Sequence, residues 1–180
     1  MLFRSGDVIP SNHHFDTTRA NLEMAGGEAL DLAIPESADL NSPHPFKGNV
    51  DLERAENLVR ELGRERVPLA MITLTDNTGG GQPVSLENLT AYHRLLDEHG
   101  IPLFVDACRF AENAHFVRGR EGAHAGRSIL DITADTFALA EGATMSAKKD
   151  GLANIGGFLA LREEALARSE EHTSELQSQF

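Results

Sequence analysis

An α/β fold, a mostly parallel sheet with helices on both faces, is the class this sequence predicts. Two observations carry it. Segments with helical periodicity take turns with short apolar runs, and the stretches joining successive runs are long enough to cross over a sheet instead of turning back as hairpins. The chain also has the bulk for a core, with 180 residues of which 41% are hydrophobic.

The elements follow in order. The first fifty residues are the least regular, and PSNHHFDTTR (10–19) and HPFKGNVD (44–51) are polar, aromatic-bearing and turn-like. DLERAENLVREL (51–62) puts Leu52, Ala55, Leu58, Val59 and Leu62 on one helical face, with Gly63 as its stop. LAMITLT (69–75), between Pro68 and the turn-rich DNTGGGQP, is a buried strand. SLENLTAYHRLLDEHG is a helix capped by Ser85, with Leu86, Leu89, Leu95 and Leu96 facing inward and Gly100 past its end. LFVD (103–106) is the next strand. A helix begins at Ser128-x-x-Asp131 and runs to about Ala140, followed by a strand from Ala143 to Ser146 and a last one in GFLALREE. Ligands of such sheets sit beyond the carboxyl ends of the strands, and here those ends carry Asp76, Asn77, Asp106 and Ser146.

Charge and composition exclude several functions. A formal net charge of −12 repels a phosphate backbone, which argues against nucleic-acid binding and for a small-molecule substrate. No apolar run approaches the roughly 20 residues that span a bilayer, so no membrane role is expected. Cys108 is the only cysteine, which rules out an intrachain disulfide and fits a reducing cytoplasm. The histidines form no helical His-x-x-x-His pair for a metal. RSEEHTSELQS (168–178) reads as a translated sequencing adapter, so 168–180 is expected to be a non-native tail; the alternative is a natural charged helix.

Two of the three lysines stand side by side in Ser146-Ala147-Lys148-Lys149. Adjacent lysines are most often a solvated charge pair. A second reading is the Ser-x-x-Lys signature of penicillin-recognising hydrolases, with Ser146 as nucleophile and Lys149 as its partner, although no Lys-Thr-Gly or Ser-Asp-Asn accompanies it. A third is a lysine that forms a Schiff base with pyridoxal phosphate, its neighbour supplying the cation that makes it a usable amine near neutrality. That cofactor needs an acid against its pyridine nitrogen, and Asp106 at a strand end can supply it; Asp106 can equally cap the helix that follows.

TDNTGGGQPVSLENL, FVDACRFAENAHFV and MSAKKDGLANIGGFLA, in this order and spacing, resemble the β-eliminating lyases of fold-type I, the pyridoxal-phosphate enzymes that include tryptophanase and tyrosine phenol-lyase. The resemblance runs from about Ile9 to about Leu166. It implies that residues 1–167 are the central part of a cofactor-binding large domain. By resemblance Lys149 binds the cofactor covalently and Lys148 serves the phosphate and cation region. Ser146 matches a phosphate contact, Asp106 the pyridine partner, and Arg109 with Asn77 the groups on the phenolic oxygen. Phe15 matches the ring stacked over the cofactor, and Asn154 an asparagine that helps hold potassium. The residue after Phe15 separates the two sister enzymes, and Asp16 matches tryptophanases, where a buried carboxylate assists proton transfer to the indole ring; the alternative is that Asp16 caps a helix from Thr17.

The activity so implied is β-elimination of an aromatic amino acid, tryptophan giving indole, pyruvate and ammonia, in a cytoplasmic homotetramer. The chain as given is expected to be inactive, because the family's substrate-carboxylate arginine and half of its phosphate site fall outside it. Tyrosine phenol-lyase, a threonine-aldolase-like lyase and a non-catalytic cofactor-binding fragment are the other readings.

Overall fold

A computed structural model describes residues 3–164, so the segment read above as a non-native tail lies outside the described residues. The elements are β1 (Val8–Ser11), α1 (Asp16–Met24), β2 (Glu28–Asp31), α2 (Leu52–Leu62), β3 (Ala70–Thr73), α3 (Leu86–Glu98), β4 (Leu103–Asp106), α4 (Phe110–Arg120), α5 (Ile129–Ala138), β5 (Gly142–Ser146) and β6 (Gly157–Leu161). The α/β class is as expected. β1 and β2 pair in parallel, β3, β4 and β5 form a parallel ladder, and β6 returns antiparallel along β5. No helix among the described residues is long and apolar enough to cross a membrane.

β1, β3 and β4 are largely buried on both faces, and their alternation divides the core in two. Ala70, Ile72, Leu103 and Val105 point to the side where Ala55 and Val59 of α2, Leu89 and Leu96 of α3, Val117 of α4 and Ile132 of α5 pack. Leu69, Phe104 and Ile9 point the other way, where Leu22 of α1 covers them. Among the described residues the two faces are thus covered unequally, four helices against one.

Local chemistry explains the boundaries. Ser85 and Ser128 accept hydrogen bonds from Asn88 N and Asp131 N as N-caps, and Asp51 does the same for Arg54 N, which makes Asp51 the cap of α2 rather than its first turn. Gly63 and Gly100 both end helices with φ of 65°. Three elements in the region read as irregular are regular: β1, α1 and β2. β1 contains Pro10, which interrupts a strand signal, and β2 is four residues with no β-branched side chain. α4, the helix after β4, begins at Phe110, and its N-cap residue Arg109 makes no side-chain capping bond.

The two sheets are joined by a side chain. Asn12, fully buried after β1, accepts from Thr73 N at 2.9 Å and donates to Thr73 O at 3.1 Å and Gly48 O at 2.8 Å. Its amide thus takes the place of a peptide group against β3, which belongs to a different sheet from β1. Asn12→Ala is expected to lower the unfolding free energy by at least about 2 kcal/mol, since each buried group left unpaired costs about 1–3 kcal/mol. Urea denaturation measures this, and a loss under about 0.5 kcal/mol would show that the amide bridge is dispensable.

Candidate active site at the strand ends

The carboxyl ends of β3, β4 and β5 lie side by side, because Thr73 pairs with Asp106 and Asp106 with Thr144 in parallel register. The backbone leaving β3 therefore brings Asn77 next to Arg109, which follows β4. Arg109 Nη1 donates to Asn77 Oδ1 at 2.6 Å, and Arg109 N donates to Leu74 O at 2.8 Å. Asp106 is buried at the end of β4, and its Oδ1 accepts from Cys108 N at 3.3 Å. The helix-cap reading of Asp106 does not hold, because α4 starts four residues later and takes its cap from elsewhere.

Lys148 and Lys149 sit on the turn after β5 and part company there: Lys148 is exposed, whereas Lys149 is half-buried. Lys149 Nζ lies 4.9 Å from the centroid of the Phe15 ring. An ammonium over a ring face at that distance is worth about 0.5–2 kcal/mol, and it brings the lysine to the side chain that the resemblance matches to the ring stacked over the cofactor. Phe15 is half-buried in the N-cap position of α1. Asp16 is exposed in the first turn of that helix, so it is neither the cap nor, in this chain, a buried carboxylate.

Ser146 closes β5 opposite Gly157, and its N–H donates to Cys108 Sγ at 3.3 Å. Cys108 is a buried free thiol. Burial and the Asp106 carboxylate beside it push its pKa up. Asn154 is exposed on the turn before β6, apart from the other site residues along the chain, and no cluster of three His, Cys, Asp or Glu suited to a metal occurs among the described residues.

Two features here escaped the sequence. Asp150, directly after Lys149, reaches α4: its Oδ2 accepts from Ala111 N at 2.7 Å and Glu112 N at 3.1 Å. It supplies the missing cap and thereby ties the lysine turn to the helix that Arg109 begins. The Thr75 hydroxyl is buried at the end of β3 with no hydrogen-bond partner. Such an atom costs free energy unless a ligand or water meets it. A groove of about 670 Å³ between α3 and α5, lined by Leu86, Thr90, Arg94 and Asp135, contains none of these residues.

A sequence profile described as "Beta-eliminating lyase" matches residues 3–179. The chain belongs to the β-eliminating lyase family. Its family relatives include a tryptophanase of Hyphomonas neptunium, 55% identical over 167 residues that cover 93% of this chain and 37% of that protein. A tryptophanase of Rhodobacter capsulatus is 54% identical, covering 90% and 36%, and a tyrosine phenol-lyase of Nostoc punctiforme 45% identical, covering 91% and 35%. The chain thus spans little more than a third of the length of the curated relatives it matches. In fold it is similar to a pyridoxal-phosphate-bound C–S lyase of Staphylococcus hominis, with a TM-score of 0.62 at 13% identity over 94% of this chain and 39% of that one. Family membership leaves no place for the Ser-x-x-Lys hydrolase reading.

Asp150→Ala is expected to destabilise the chain by about 1 kcal/mol, the usual worth of an N-cap, and Asp150→Asn by clearly less, since its amide oxygen can still accept. Denaturation curves of the two variants separate them. Equal losses would mean that the charge, and not the cap, is what matters.

Proposed function

We propose that the chain is the cofactor-binding part of a pyridoxal-phosphate-dependent lyase that eliminates the aromatic side chain of an amino acid, with tryptophan as substrate. The observation that carries this is the approach of Lys149 to Phe15 at 4.9 Å, beside a buried Asp106 and the Arg109–Asn77 hydrogen bond. The donor set suits the cofactor: an amine for covalent attachment, a ring to stack on, a buried carboxylate, an amide with a guanidinium, and the unpartnered Thr75 hydroxyl. Identities of 54–55% to tryptophanases, against 43–45% to tyrosine phenol-lyases, favour tryptophan.

Each residue then has a task. Lys149 would hold the cofactor through Nζ, and the same amine, when free, would take the substrate's α-proton. When bound, pyridoxal phosphate supplies the electron sink for the charge left at the substrate α-carbon. Asp106 keeps a proton on the pyridine nitrogen. Asn77 and Arg109 orient the phenolic oxygen, Ser146 donates to the phosphate, and Lys148 adds positive charge beside it. Phe15 covers the ring face and excludes water. Asp16 would assist proton transfer to the indole ring, and with one water taken up the products are indole, pyruvate and ammonia. Asn154 contributes to a potassium site, and the working enzyme is a cytoplasmic tetramer.

Borohydride reduction of the purified chain with added pyridoxal phosphate, followed by peptide mapping, tests the anchor. Label is expected on Lys149 and absent in Lys149→Ala; label spread over Lys47, Lys148 and Lys149 in a folded chain would remove the assignment. For the reaction, residues 9–164 can replace the matching segment of the Hyphomonas neptunium tryptophanase. The chimera is expected to release indole from tryptophan. Lys149→Ala should cut that rate by at least about 100-fold, the lower end of what a positioned proton-transfer group contributes. Asp16→Thr is expected to reduce indole release more than it reduces phenol release from tyrosine.

A further inference from the structure

His13 and Asp76 are the charged groups near this site to which the proposed function gives no task. Asp76 is fully buried, and its Oδ2 lies 2.6 Å from His13 Nδ1. The rest of Asp76 organises the turn after β3. Its Oδ1 accepts from Gly79 N at 3.1 Å, its carbonyl accepts from Gly81 N and Gln82 N, and its N–H donates to Gln82 O at 2.8 Å. Gly79 is required there, because a Cβ would fall 2.6 Å from Asp76 Oδ2. Asn77, the partner of Arg109, is the next residue in that turn.

His13 stands on the other side, two residues before Phe15. Two further hydrogen bonds run alongside the pair: Thr73 Oγ1 donates to His13 O and Thr78 Oγ1 to His14 O, both at 2.9 Å. The segment carrying the stacking ring is thereby fastened to the segment carrying the phenolic-oxygen partner, and His13–Asp76 is the charged link. A buried carboxylate left without a partner is strongly unfavourable, so removing His13 loosens the turn as well as the strap.

We propose that His13 and Asp76 form a positioning pair that locks the Phe15 segment onto the Asn77 turn, so that the two sides of the cofactor pocket are set as one unit. The cofactor part of this rests on the proposed function; the locking of the two segments does not. The groups that act on His13 are Asp76 and Asp31, which favour its cation, and Arg19, which opposes it; burial holds the pKa of His14, its neighbour along the chain, below the ordinary value. The hydrogen bond to Asp76 outweighs burial and holds the His13 pKa above its ordinary value. The strap is therefore at full strength below the ordinary histidine pKa and weakens as pH rises through the raised one.

The test uses the 180-residue chain, with amide hydrogen exchange of segments 12–19 and 74–82 in the absence of cofactor and pyridoxal-phosphate affinity from about pH 6 to about pH 9. His13→Ala is expected to speed exchange in both segments together and to weaken cofactor binding about tenfold. His13→Asn keeps a donor where Nδ1 was, so it is expected to restore the exchange protection and most of the affinity while flattening the pH dependence above neutrality. Exchange in 74–82 that is indifferent to His13→Ala would overturn the locking. Unchanged affinity in His13→Ala, or a pH profile that persists in His13→Asn, would overturn the role at the pocket. If the wild-type chain takes up no pyridoxal phosphate, the same affinities are measured in the chimera that carries residues 9–164, where they decide the pocket role, and the exchange of the cofactor-free chain still decides the lock.

Discussion

The strand-end site depends on asparagine amides that stand in for peptide groups. A primary amide has one acceptor and one donor on the same carbon, the arrangement a neighbouring strand would offer, and it can reach where the backbone cannot. Asn12 satisfies both groups of Thr73 in this way. Asn88 does the same for Val50, at 2.8 and 2.9 Å, and Asn113 for Val84, at 2.9 and 3.0 Å. Asn12 follows β1, whereas Asn88 and Asn113 lie in α3 and α4 and reach to Val50 and Val84, loop residues whose N–H and C=O no ladder pairs. Without the three amides those loops would carry unpaired N–H and C=O groups into the core, at a cost of about 1–3 kcal/mol each. The loops that position Phe15 and Asn77 are held between these points.

Given that frame, the strand ends supply the chemistry through register. Parallel pairing of β3, β4 and β5 puts residues from distant parts of the chain within a hydrogen bond of each other, as Arg109 and Asn77 show. The turn after β5 is fixed differently, by Asp150 reaching across to the N-terminus of α4. The carboxylate satisfies two amides and also meets the positive end of the helix dipole. Lys149 and Arg109 are thereby coupled through one side chain, so a displacement of α4 moves the lysine turn with it.

Much of this was legible from residue order. The strands at Ala70–Thr73 and Leu103–Asp106 and the helix capped by Ser85 carry local signals, and the polar residues at strand ends follow from any parallel reading of the sheet. What the sequence hid is non-local. α4 has Ala114 and Val117 in the core, but its cap comes from a residue 39 positions later than Ala111, so no local pattern marks its start. β1 and β2 are short, and β1 holds a proline, which a strand tolerates at a sheet edge. His13 looked like a loop residue, since its partner is 63 positions away. The Asp in TDN immediately before Asn77 was the one available signal: an acid at a buried strand end needs a partner, and a histidine beside the aromatic position is a chemically apt one.

The charge distribution fits the same picture. A chain with a net charge of −12 repels anions at long range, and a phosphate-bearing cofactor is an anion. Exposed charges are screened beyond about 8 Å at physiological ionic strength, so the groups lying close to the ligand decide the local potential. Two of the three lysines stand on the turn after β5, and Arg109 begins the helix that Asp150 binds to that turn. Asp150 itself is engaged by two backbone amides, which leaves less of its charge to oppose them. The acids that make the whole chain negative are spread over helices and loops alike, and two of those at the strand ends are engaged, Asp76 by His13 and Asp150 by two backbone amides.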